Sequence, residues 1–105
     1  MVGLTTKEAL NELRRIKKVC PHKIQSMLLF GSRARGDELF TSDVDVIVIS
    51  PDFATTKFRD RPDWFLDQWM LPVDLEILCY TPEEFARKKK EIGLVQEAAR
   101  QGVLI

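Results

Sequence analysis

Between Thr5 and Cys20, the apolar residues Ala9, Leu10, Leu13, Ile16, Val19 and Cys20 recur at intervals of mostly three and four. That is the period of a helix with one buried face, and Thr5 with Glu8 has the spacing of a capping box at its start. Pro21 ends it. The pattern then changes. Ile24 to Phe30 is a short run without charge, closed by Gly31, and Val44 to Ile49 is a β-branched run closed by Ser50 and Pro51. Both predict buried strands. Between them Ser32 to Arg35 predicts a short helix with Ser32 as N-cap, followed by the turn residues Gly36 and Asp37.

Asp52 to Pro62 is polar and charged and predicts a mobile loop. Asp63 to Leu71 then places Phe65, Leu66, Trp69 and Met70 on one helical face before Pro72, and Val73 to Leu78 predicts the third strand. Thr81, Pro82 and Glu84 combine an N-cap, a first-turn proline and a capping-box glutamate, so a helix begins there and breaks at Gly93. A last helix runs to Gln101, with Gly102 as its terminal glycine and Val103 to Ile105 as an apolar stub. Strands mixed with helices in this order predict an α/β (α+β) fold, a small mixed sheet with flanking helices. At 105 residues, the chain is expected to be a single domain over 1–105.

Composition adds one point. Sixteen basic and sixteen acidic side chains cancel overall, which argues against direct binding to nucleic acid or acidic lipid. The cancellation hides a pattern, because residues 1–36 carry eight basic and two acidic groups while 37–84 carry three and twelve. No apolar run approaches the roughly 18 residues of a membrane span. With no export signal and two well-separated cysteines, Cys20 and Cys79, the expectation is a soluble, cytoplasmic protein with reduced thiols.

The acidic middle opens onto chemistry at Leu29-Phe30-Gly31-Ser32-Arg33-Ala34-Arg35-Gly36-Asp37 and Thr41-Ser42-Asp43-Val44-Asp45. Alternate strand residues share a face, so Asp43 and Asp45 project together and can converge on a cation. Magnesium suits such hard oxygen donors, and two ions about 3.5 to 4 Å apart can hold the attacking and leaving oxygens of an in-line displacement. Asp74 supplies a third carboxylate at the start of the third strand, with Glu76 two residues on as the other candidate. Gly31 lets a backbone approach closely, and Ser32 with the N–H groups of a helix start suits phosphate oxygens. Arg33 and Arg35 are placed to add charge-assisted contacts to a triphosphate.

Gly31-Ser32, ten residues and then Asp43-Val44-Asp45 resembles the signature of the DNA polymerase beta-like nucleotidyltransferase superfamily. The longer string from Gly31 to Asp37 with Ser42 to Asp45 is similar to its minimal nucleotidyltransferase branch, a likeness that extends over about residues 5–105. The resemblance implies transfer of a nucleoside monophosphate from a triphosphate, usually ATP, to a hydroxyl, with Mg2+ (two ions). It implies Asp43 and Asp45 as ligands of both metals, Asp74 as ligand of the catalytic metal and aid to deprotonation, and Gly31 and Ser32 as the triphosphate holders. Minimal members commonly pair with a helical HEPN-type protein as toxin and antitoxin, so the implied acceptor is a tyrosine of such a partner. The alternatives are an antitoxin that acts by occlusion without catalysis, and transfer to a small molecule such as an aminoglycoside. A homo-oligomer stays open.

Other motifs have plainer readings. Arg35-Gly36-Asp37 spells an adhesion tripeptide but lies inside the phosphate motif. Arg87 to Lys90 reads as a solvated basic face, with an acidic partner or RNA as the alternative. Trp64, Phe65 and Trp69 read as core residues, with a partner-binding patch as the alternative for the tryptophans.

Overall fold

The structure, a computed structural model, describes residues 5–36 and 43–105. Helix α1 spans Thr6–Val19 and begins as its sequence dictates, the Thr5 hydroxyl accepting a hydrogen bond from the Glu8 backbone N–H. It buries Ala9, Leu13 and Ile16. Strand β1 is Ser26–Phe30, the short helix α2 is Ser32–Arg35 and strand β2 is Val44–Ile49. Helix α3 is Asp63–Gln68 and strand β3 is Leu75–Tyr80. Helix α4 (Pro82–Lys88), helix α5 (Leu94–Gln101) and a two-residue strand β4 (Val103–Leu104) complete the described elements.

The four strands form one mixed sheet in the order β3-β2-β1-β4. β1 runs antiparallel to both β2 and β4, and β2 runs parallel to β3. One face packs Met27, Leu29, Val44, Val46 and Val48 against α1, Phe53 and Phe65. The other packs Leu28, Phe30, Ile47 and Ile49 against Tyr80, Val95 and Ala98. The alternation is clean on every long strand, which is the physical content of the expected α/β class. Both faces are covered, which accounts for the uniformly apolar β2 after Asp45.

Several sequence expectations are corrected in detail: β1 begins at Ser26 rather than Ile24, and α4 ends at Lys88, short of Gly93. The N-cap of α2 is Gly31, which makes no side-chain cap bond, rather than Ser32. The third strand begins at Leu75 instead of Val73, because the Val73 carbonyl accepts the Trp69 indole N–H at 2.7 Å instead of joining the ladder. α3 stops at Gln68, three residues early. Its end is clamped from α1: Arg15 donates to the Gln68 carbonyl at 2.9 Å and Glu12 accepts from the Met70 N–H at 3.0 Å, while Pro72 disfavours helix at the residue before it. Leu66 and Met70 are therefore exposed. Finally, Val103–Leu104 pairs with β1 rather than ending as a stub. The charged segment after Ser50 folds into two 3-10 turns, Pro51–Thr55 and Phe58–Asp60, and anchors itself by burying Phe53 and Arg61. Among the described residues no helix is long and apolar enough to cross a membrane.

Candidate active site

The carboxylates gather where β2 and β3 begin. Parallel pairing sets Val44 beside Leu75 and Asp45 beside Glu76. Asp43 and Asp74 precede those pairs by one residue each, and the Val44 N–H donates to the Asp74 carbonyl at 2.9 Å. Asp43, Asp45, Asp74 and Glu76 consequently belong to one face of the sheet, the α4 and α5 side, at one end. Asp45 is half-buried, and the other three are exposed.

β1 brings the second half of the site to the same place. Phe30 pairs with Asp45, so Gly31 leaves the strand directly against that carboxylate. Its φ of 77° lies in the region that side chains other than glycine rarely adopt. A Cβ there would also collide with Oδ2 of Asp45 and stand 3.2 Å from its Cγ. Position 31 is glycine for both reasons. Ser32 follows, half-buried, and the N–H of Ala34 closes the turn on the Gly31 carbonyl at 3.1 Å. Arg33 is buried, 3% exposed, and engaged within the protein. The side chain of Arg35 and all of Asp37 to Ser42 lie outside the described residues.

Over the carboxylates opens a cleft of about 470 Å3, bordered by Gly31, Asp45 and Glu76 and walled by Phe30, Leu78 and Leu94. Leu94 was not singled out by the sequence. Its only signal was an apolar residue at the exposed first turn of a helix. Trp64 and Trp69, by contrast, pack against the core on the opposite face. Trp64 meets Phe65 edge to face with centroids 5.2 Å apart.

The donor chemistry, though not a preformed cage, is of the kind a divalent cation takes. Carboxylates on adjacent strand ends, with a glycine that keeps one of them uncrowded, are the hard oxygen ligands magnesium takes. Among the described residues no three His, Cys, Asp or Glu side chains stand at ligating distances. Asp43, Asp45 and Asp74 carry the carboxylate oxygens such an ion would draw on, and an ion bound there would neutralise phosphate charge and polarise the phosphorus.

Residues 7–100 match the family model of the nucleotidyltransferase domain. The chain belongs to the nucleotidyltransferase domain family. A relative from Methanocaldococcus jannaschii, named by inference as a protein adenylyltransferase, is 31% identical over 96 residues, covering 87% of this chain and 96% of its own. The crystal structure of an inferred nucleotidyltransferase from Sulfolobus solfataricus superposes with a TM-score of 0.63, covering 95% of this chain and 78% of the other. At 21% identity that likeness shows the fold. This nucleotidyltransferase is thus an enzyme of nucleotidyl transfer, in a family whose domains use a nucleoside triphosphate and a divalent metal.

Proposed function

We propose that this nucleotidyltransferase moves the AMP unit of ATP, with magnesium, onto a hydroxyl of a protein, a tyrosine of a helical HEPN-type partner that it thereby neutralises as an antitoxin. The observation that carries the site is the register that puts Asp45 beside Glu76 and Asp43 level with Asp74, with Gly31 pressed against Asp45. The name of the Methanocaldococcus jannaschii relative supports a protein acceptor.

In this reading Gly31 and Ser32 hold the triphosphate, and Arg33 and Arg35 add positive charge. Asp74 takes part in removing the acceptor's proton. The acceptor oxygen bonds to the α-phosphorus as the bond from that phosphorus to the bridging oxygen breaks, and pyrophosphate leaves. Positioning and charge neutralisation supply the acceleration.

Incubation with magnesium, α-labelled ATP and a helical HEPN-type protein from the same genome tests this, read by gel and intact mass. Label on the partner, one adenylate mass or a short series, absent with Asp43→Ala, is expected. A stable complex of the two proteins without label would instead favour occlusion.

A further inference from the structure

The cleft over Asp45 and Glu76 shares Glu76 with a depression beside Asp74, Leu66 and Trp69, and on its other side two more depressions share walls with it along β3. Leu78 and Leu94 of the cleft also line the first of these two, of about 220 Å3, where Tyr80 and Ile92 join them. Leu78 and Tyr80 line the other as well, of about 530 Å3, whose far end is Phe58. The Phe58 ring lies 5.4 Å from that of Tyr80. The result is one trough that starts at the catalytic carboxylates. Its floor carries Glu76, Leu78 and Tyr80 at alternate strand positions, about 7 Å apart, or about 13 Å from end to end. β3 is an outer strand, with β2 as its neighbour in the sheet.

The rim is apolar where a solvated surface would be polar. Ile92 is 97% exposed, Leu94 59% and Phe58 47%. Its charges are mixed, Glu84 and Glu91 against Arg87 and Lys88. A polyphosphate or nucleic-acid strand would meet those carboxylates, whereas an apolar peptide meets no net repulsion. The length exceeds that of a single acceptor side chain, and the two-residue period of the floor matches that of an extended polypeptide lying over this face of the strand.

We propose that this trough seats an extended segment of the substrate protein, with the acceptor hydroxyl at the Asp45 and Glu76 end. Apolar side chains two and four residues away then lie over Leu78 and Leu94, and over Tyr80 and Phe58. This rests on the reading of the chain as a protein-directed transferase and adds what the target sequence must contain.

The test uses the full chain, methyl-labelled for NMR and saturated with magnesium and α,β-methylene-ATP. Two probes are titrated: the peptide Ala-Tyr-Ala-Phe-Ala-Leu-Ala and its counterpart with glutamate at the Phe and Leu positions. The apolar peptide is expected to shift the methyls of Leu78, Ile92 and Leu94, and the acidic one to bind about tenfold more weakly. Ile92→Glu, at a position outside the active-site cleft and exposed enough to leave folding intact, is expected to weaken the apolar peptide severalfold while the nucleotide still binds. Equal binding of both peptides, shifts confined to another surface, or no binding at all would overturn the proposal. So would nucleotide alone shifting the methyls of Ile92 and Leu78 and excluding peptide, which would make the trough a base pocket. With ATP in place of the analogue, peptide mass reads the other question separately. A peptide seated in the trough that gains no adenylate supports the seat and counts against the transfer reading.

Discussion

A methyl group at position 31 would occupy the space held by the Asp45 carboxylate and would force a φ of 77° on a residue with a side chain. Gly31→Ala is therefore expected to cost about 1 to 3 kcal/mol, read as a lowered urea midpoint, and to weaken magnesium-nucleotide binding because Asp45 must move. Asp45→Ala, which removes the colliding group, should restore part of the stability of Gly31→Ala without restoring binding. Cys79 gives a second residue-scale expectation. Burial pushes its thiol up to about 12, so almost no thiolate exists near neutral pH. Iodoacetamide should leave Cys79 unmodified in the folded protein and alkylate it once urea unfolds the chain, as peptide mass mapping would show. Rapid native labelling would contradict the placement.

At the scale of elements, one ion pair ties the segment before α3 to the start of α4. Arg61, buried, donates to Glu84 at 2.6 Å and to the Cys79 carbonyl at 3.2 Å. The same Glu84 completes the capping box with Thr81. The Arg61 guanidinium holds the Glu84 carboxyl below its ordinary value. The folded state thus binds this proton less readily than the unfolded chain. The pair contributes stability above the usual glutamate range, near about 4.3, and loses that contribution as pH falls through the lower folded value. Glu84→Gln should cost roughly 1 to 3 kcal/mol at neutral pH and flatten the acid limb of the urea midpoint against pH.

Elements with local signals were legible in the sequence. Thr5 and Glu8 began α1, and Thr81, Pro82 and Glu84 began α4, because capping depends on neighbours a turn apart. Most features missed were set by distant groups, Glu12 and Arg15 fixing the end of α3 and β1 recruiting Val103 and Leu104 into the sheet, whereas the start of β3 was moved by a side-chain bond only four residues long, from the Trp69 indole to the Val73 carbonyl, which has no capping-type sequence signal. Gly102, by contrast, was read from the sequence as the glycine that ends the last helix, and it is the C-cap of α5. A Cβ there would collide with the Ala98 carbonyl, and its N–H bonds that same oxygen at 2.7 Å. Gly102→Val is expected to free β4 from β1, seen as faster hydrogen exchange at Ile105, whose N–H donates to Met27.

For the whole molecule, strand periodicity already put Asp43 and Asp45 on one face, and the spacing from Gly31 set the second half of the site. What periodicity could not give was the parallel register that brings Asp74 and Glu76 alongside, nor the apolar trough that continues from them. β1 delivers Gly31 and Ser32 to the carboxylate ends of β2 and β3. The core beneath is independent of those carboxylates, so their removal should leave the fold unchanged. The most direct measurement is calorimetric titration of α,β-methylene-ATP with and without magnesium, into the wild type and into the variant carrying Asp43→Ala, Asp45→Ala and Asp74→Ala together. The account expects magnesium-dependent binding to the wild type that disappears in the variant while its unfolding midpoint is retained. Nucleotide binding unaltered in the variant would contradict it.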